Sequence, residues 1–192
     1  MIYIVRHGET VLNSRRVLQG RSDYSLNDQG KKQAEDTAKW FRDRGIVLDR
    51  VYSSPLKRAC ETARIIAPEA PIILEPLLME MDYGPYEGMS LDAPAPEVMA
   101  FFRDFSGHPA PDGMEALSSV VERTGRFMET LRGCRETLLI STHAIAMKGI
   151  LEYLTPDAHG RYWSTYIGNC EVYVTQPEKD GFQVPYPLPA KK

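Results

Sequence analysis

Two stretches of unbroken apolar character constrain the fold most tightly: Met1 to Arg6, written MIYIVR, and Thr137 to Ser141, written TLLIS. Neither alternates apolar with polar residues. A strand with one wet face would alternate, so each stretch reads as a strand covered on both faces. Each also stops abruptly in reactive chemistry. Arg6, His7, Gly8 and Glu9 follow the first, and Thr142 and His143 follow the second.

Helical patterns fill the space between such strands. Asn27 reads as the N-cap of a helix through about Arg44, with Ala34, Ala38 and Phe41 inward and Gly45 at the C′ position. A second strand lies within Ile46–Ser53. Ser54 followed by Pro55 predicts a capped helix start, with Ala59, Ala63 and Ile66 inward and Pro68 as the stop. Pro71 to Leu74 suits a third strand. Glu115 to Leu131 predicts a helix with Leu117, Val120, Val121, Thr124, Phe127, Met128 and Leu131 on one side. A helix from about Ala144 to Leu154 and a late strand at Cys170–Thr175 complete the series. Strands alternating with helices imply an α/β fold: three layers, α/β/α, around a central, mostly parallel mixed sheet.

A chain of 192 residues fits one domain, 1–192. Residues 75–113, broken by proline and glycine around an amphipathic piece at Glu97–Phe105, read as a cap-like insertion. The proline-rich tail, 177–192, reads as partly mobile. A net charge of -3 argues against nucleic-acid or anionic-membrane binding through an overall basic field. Cys60, Cys134 and Cys170 follow no metal or redox spacing and fit a reducing compartment. No signal peptide pattern and no apolar run near 18 residues is present. The expectation is a cytoplasmic protein with no cofactor, no metal and no membrane partner. The sequence announces no oligomeric interface.

In an open α/β sheet, ligands bind at the carboxyl edge. Arg6, His7 and His143 follow strands and gather there. Arg58 lies in the first turn of the helix after the second strand and leans back over that edge. Two arginines, two histidines and a helix N-terminus then share one pocket, which is an anion site suited to phosphate.

At this point a resemblance is plain. RHGET followed by Asn13, QG at Gln19–Gly20, SSPLKRACETA around Arg58, EMDYGPYEG from Glu80 and STHA around His143 resemble the histidine phosphatase superfamily, also called the phosphoglycerate mutase-like family. The likeness runs in order from Met1 to Leu154. RHGE alone would arise by chance in roughly one chain per thousand of this length; five ordered motifs are far more specific. The resemblance implies that His7 attacks phosphorus and becomes a phosphohistidine. It implies that Arg6, Arg58 and His143 clamp the phosphoryl oxygens. Glu80 takes the place of the general acid. Gly8, Asn13, Gln19, Gly20 and Ala144 match positions beside phosphate or substrate. No metal is implied. The last motif is commonly serine–histidine–glycine, and Thr142 and Ala144 depart from it.

Blander roles compete. Glu9 could order its loop, and Asn13 and Gln19 could cap turns. Asp82 and Glu87 lie close enough to Glu80 to be confused with it. Gly8 reads as a glycine for close backbone approach. His108 and His159 read as solvated, and the methionines near Glu80 as adaptable packing.

The expected activity is hydrolysis of a small phosphate ester. A mutase must hold a doubly phosphorylated intermediate away from water. The segment Met89–Met114 carries Arg103 as its single arginine and no lysine, which is poor equipment for that. The alternatives are a phosphoglycerate mutase or a non-catalytic phospho-ligand binder.

Overall fold

The structure, a computed structural model, describes residues 1–189. Eight strands and six α-helices follow one another along it: β1 (Ile2–Arg6), α1 (Val11–Ser14), α2 (Asp28–Asp43), β2 (Arg50–Ser53), α3 (Lys57–Ile66), β3 (Ile72–Leu74), α4 (Pro96–Arg103), α5 (Leu117–Glu129), β4 (Leu138–Thr142), α6 (Ala144–Leu154), β5 (Val172–Thr175), β6 (Pro177–Glu178), β7 (Gly181–Phe182) and β8 (Tyr186–Pro187). Six strands form one sheet in the order β3-β2-β4-β1-β5-β8. The β3–β2, β2–β4 and β4–β1 pairs are parallel; β5 runs antiparallel to both β1 and β8.

The unbroken apolar strands are explained by the two faces. From β1, Ile2 and Ile4 join Leu138 and Ile140 of β4 in a core with Phe127, Met128 and Leu131 and with Met147, Ile150 and Leu151 of α6. Tyr3 and Val5 point the other way, into a core with Ala34 and Phe41 of α2 and Ala63 and Ile66 of α3. Burying a Val, Leu or Ile side chain contributes about 1.5–3 kcal/mol, and the buried polar residues of β4, Ser141 and Thr142, each donate a hydroxyl to a backbone carbonyl.

Helix α2 is capped by Asn27, whose side chain accepts from the Gly30 N–H, as its sequence predicts. Helix α3 departs from expectation. It begins at Lys57, not at Pro55, and its N-cap Leu56 makes no side-chain cap. The Ser54 hydroxyl accepts from the Leu56 N–H at 3.4 Å and is engaged by His143 Nε2 at 2.8 Å, so the expected capping residue also serves the site.

The segment 75–113 holds two short 3-10 turns and α4. Met81, Tyr83 and Phe101 from it pack with Leu18, Val120, Ile145 and Trp163 in a third core. Within the tail read as partly mobile, β6 and β7 pair with each other, and Tyr186 and Pro187 of β8 pair with the edge of β5. Residues 190–192 lie outside the described residues. No helix among the described residues is long and apolar enough to cross a membrane.

Candidate active site

The parallel β1–β4 register places Arg6 opposite Thr142. The next residues, His7 and His143, therefore leave adjacent strands side by side, with ring centroids 5.1 Å apart. The His7 backbone N–H donates to the Thr142 carbonyl at 2.9 Å, which ties the two ends together.

Arg58 stands between the rings. Its Nε–H is shared between His7 Nε2 at 3.2 Å and His143 Nδ1 at 3.1 Å. Its outer nitrogens donate to the carbonyls of Ser22 at 2.8 Å and Gly20 at 2.7 Å. The guanidinium is fully buried. Burial pulls it down to about 10, while Glu80, Glu87 and Asp23 pull the other way, so it remains a cation at neutral pH.

These contacts determine the tautomers. His7 Nδ1 lies 2.6 Å from the Gly8 carbonyl, which can only accept, so Nδ1 carries the proton and Nε2 is left with its lone pair. His143 is the reverse: Nδ1 accepts from Arg58, and Nε2–H donates to Ser54 Oγ. Burial, then the charges of Arg58 and Arg6, hold His7 well below the usual histidine range, against the pull of the Gly8 carbonyl. Burial and Arg58 do the same to His143. Both imidazoles are neutral at neutral pH.

Glu80 is buried at the N-terminus of α6. One carboxylate oxygen accepts from the backbone N–H groups of Met81 at 2.9 Å and Ala146 at 3.0 Å, the other from Ile145 at 3.2 Å. The Thr142 hydroxyl donates to the Leu78 carbonyl at 2.7 Å, which fixes the approach to Glu80 from the strand bearing His143. Asp82 is exposed and caps the Gly84 N–H. Glu87 binds the loop at residues 20–22. Glu80 alone of the three lines the cavity.

That cavity has a volume of about 740 Å³. Arg6, His7, Asn13, Gln19, Glu80 and Ala144 line it. Arg58 and His143 stand fully buried against His7. Arg6 Nε and Gln19 Nε2 are buried with no hydrogen-bond partner among the described residues. Asn13 both lines the cavity and closes a capping box with Thr10 at the start of α1.

Two expected ligand positions have other work. The Gly8 N–H donates to Thr62 Oγ1 at 3.0 Å, and a Cβ there would meet the Gly30 carbonyl oxygen at 2.4 Å. Its close approach is to α2. Gly20 gives its carbonyl to Arg58 and its N–H to Glu87. Glu9 orders its loop through Asn27.

The cavity wall includes residues without a motif signal. Lys148 projects from α6, donates to the Trp163 carbonyl at 2.8 Å and lies 5.3 Å from the centroid of the Phe105 ring. Burial lowers it to about 8. Phe102, Trp163 and Tyr166 also face the cavity. Asn169 donates to the His7 carbonyl at 3.0 Å. Their only trace in the sequence is a helical offset from His143 for Lys148 and a brief Asn169–Cys170 likeness. Among the described residues, no cluster of three or more His, Cys, Asp or Glu side chains could hold a metal ion.

A neutral imidazole beside the buried Arg58, the half-buried Arg6 and a carboxylate, on this sheet order, fits a class of phosphoryl-transfer enzymes. Residues 2–186 match the model of the histidine phosphatase superfamily, branch 1, and the chain belongs to that superfamily; its enzyme class is phosphoric monoester hydrolase. It is 30% identical to phosphoserine phosphatase 1 of Hydrogenobacter thermophilus, over 93% of this chain and 87% of that protein. It is equally 30% identical to a 2,3-bisphosphoglycerate-dependent phosphoglycerate mutase of Parvibaculum lavamentivorans, over 80% and 79%. The solved structure of YhfR from Bacillus stearothermophilus superposes with a TM-score of 0.83 at 28% identity, covering 95% of this chain and 94% of that one.

Proposed function

We propose that the protein hydrolyses small phosphate monoesters through a phosphohistidine on His7. The observation that carries this is the His7 tautomer: Nδ1–H on the Gly8 carbonyl leaves the Nε2 lone pair toward Arg58. Neutrality and a fixed proton are what a nucleophilic histidine needs.

In the first step, Nε2 bonds to phosphorus as the bond to the leaving oxygen breaks. Arg58 Nε–H moves from the imidazoles to a phosphoryl oxygen. Arg6 Nε and Gln19 Nε2, both unpaired, supply further donors to the spreading charge. Glu80 protonates the leaving oxygen. In the second step, water attacks phosphorus, Glu80 takes its proton, the P–N bond breaks and inorganic phosphate departs. Residues 75–113 act as a cap, contributing Glu80, Tyr83 and Phe102 to the cavity wall.

Hydrolysis is favoured over mutase transfer by access to water. Tyr166 on the cavity wall is 82% exposed, and the side chains of the Arg16–Asp92 pair, on the same wall, are 67% and 65% exposed. A mutase would have to exclude water from its intermediate. A panel of phosphorylated metabolites, including 3-phosphoglycerate with product identification, tests the reading. Release of inorganic phosphate supports it; conversion of 3-phosphoglycerate to an isomer, without phosphate release from any ester, overturns it.

A further inference from the structure

We propose that Glu87 is a positioning residue for the reaction, acting through the loop at residues 20–22 on Arg58. The inference rests on the placement of Arg58 in the phosphoryl site proposed above.

Glu87 lies within the EMDYGPYEG stretch but does not line the cavity, and the mechanism above gives it no role. Yet its carboxylate accepts three consecutive backbone N–H groups. Gly20 donates at 2.9 and 3.0 Å to the two oxygens, Arg21 at 3.2 Å and Ser22 at 3.2 Å. The Ser22 hydroxyl donates to it as well. Consecutive N–H groups converging on one point form an anion-binding nest. Here the chain supplies its own anion.

One peptide unit serves both groups: Gly20–Arg21 gives its N–H to Glu87 and its carbonyl to an outer nitrogen of Arg58. The Ser22 carbonyl, which accepts from the other outer nitrogen, belongs to the residue whose own N–H and hydroxyl Glu87 holds. Glu87 therefore fixes the Gly20–Arg21 carbonyl directly and the Ser22 carbonyl through its neighbouring peptide. With both outer nitrogens anchored, Nε–H is aimed between His7 Nε2 and His143 Nδ1. The loop has little room to reach this geometry differently. A Cβ on Gly20 would meet the Met81 carbonyl oxygen at 2.5 Å and the Glu87 carboxylate at 2.7 Å. The carboxylate itself never reaches the ligand cavity, so its effect on catalysis passes through the guanidinium.

The test is a double-mutant cycle with a separate spectroscopic readout. Glu87→Gln keeps the size of the side chain but turns one oxygen into a donor facing other donors. It should lower kcat roughly tenfold with KM changed less than threefold. Glu87→Ala should act the same way or more strongly. In the Arg58→Ala background, adding Glu87→Gln should change kcat less than twofold, because the group it positions is gone. In the otherwise unaltered enzyme, Glu87→Gln should also shift or broaden the Arg58 Nε–H resonance. A full tenfold loss repeated in the Arg58→Ala background overturns the proposal, as does an unmoved Arg58 resonance. His7→Ala run in parallel separates the two readings. Turnover surviving in His7→Ala refutes the phosphohistidine mechanism, whatever Glu87 does.

Discussion

His7 holds the Gly8 carbonyl through Nδ1 at 2.6 Å, so the residue next in sequence sets the tautomer of the attacking group. A backbone partner cannot be removed by changing a side chain. It stays in place as long as β1 enters the loop as it does.

Acid should unfold the protein through its two site histidines. Both are held well below the usual range when folded, chiefly by burial and then by Arg58. In the unfolded chain each takes up a proton near pH 6.5. The native state does not until far lower pH. Stability from this source is therefore complete above about pH 6.5 and lost as pH falls below it, approaching about 1.4 kcal/mol per pH unit for each histidine. Urea denaturation at a series of pH values checks this. His143→Gln should make the slope shallower; an unchanged slope would mean His143 titrates normally.

Thr142→Val should weaken both stability and turnover. It removes the donor that satisfies the buried Leu78 carbonyl at 2.7 Å. An unsatisfied buried carbonyl costs about 1–3 kcal/mol. Because Leu78 leads to Glu80, kcat should fall as well, measured at a temperature where the variant is folded. Full activity in a destabilised variant would show that Glu80 does not depend on this anchor.

Gly8→Ala should destabilise by about 1–3 kcal/mol, the usual range for overpacking. The added Cβ would lie 2.4 Å from the Gly30 carbonyl oxygen, which is backbone and cannot swing away. Thermal denaturation measures it. An unchanged midpoint would mean that α2 slides from β1 without loss.

Much of this architecture was legible because the local signals agreed with the packing. Helix α6 runs from Ala144 to Leu154 as its apolar pattern predicts. Asn27 caps α2 through Oδ1 while its Nδ2 donates to Glu9, so both demands on the side chain are met at once. What was not legible shares one cause: a partner distant in sequence. Ser54–Pro55 looks like a helix start, but the Ser54 hydroxyl is also engaged by His143, 89 residues on. Gly8, read as a glycine for close backbone approach, meets the Gly30 backbone, a partner that no local spacing names. Lys148 shows only a helical offset from His143, and Trp163 reaches it through a tertiary contact.

Glu80→Gln should discriminate between leaving groups. An alkyl phosphate leaves as a basic alkoxide and needs protonation; a p-nitrophenyl ester leaves as a weakly basic phenolate and hardly does. Single-turnover rates of phosphorylation should drop strongly for alkyl esters and much less for the aryl ester. Asp82→Asn, altering an exposed residue outside the cavity, should leave both unchanged. If Asp82→Asn shows the selective loss instead, the acid is Asp82.

The phosphohistidine is the central claim, and trapping it is the most direct measurement. A rapid quench after mixing with a labelled phosphate ester should recover label on the protein, stable in base and lost in acid, at His7. His7→Ala should carry none. Label persisting in His7→Ala, or label that survives acid, would contradict the mechanism at its first step.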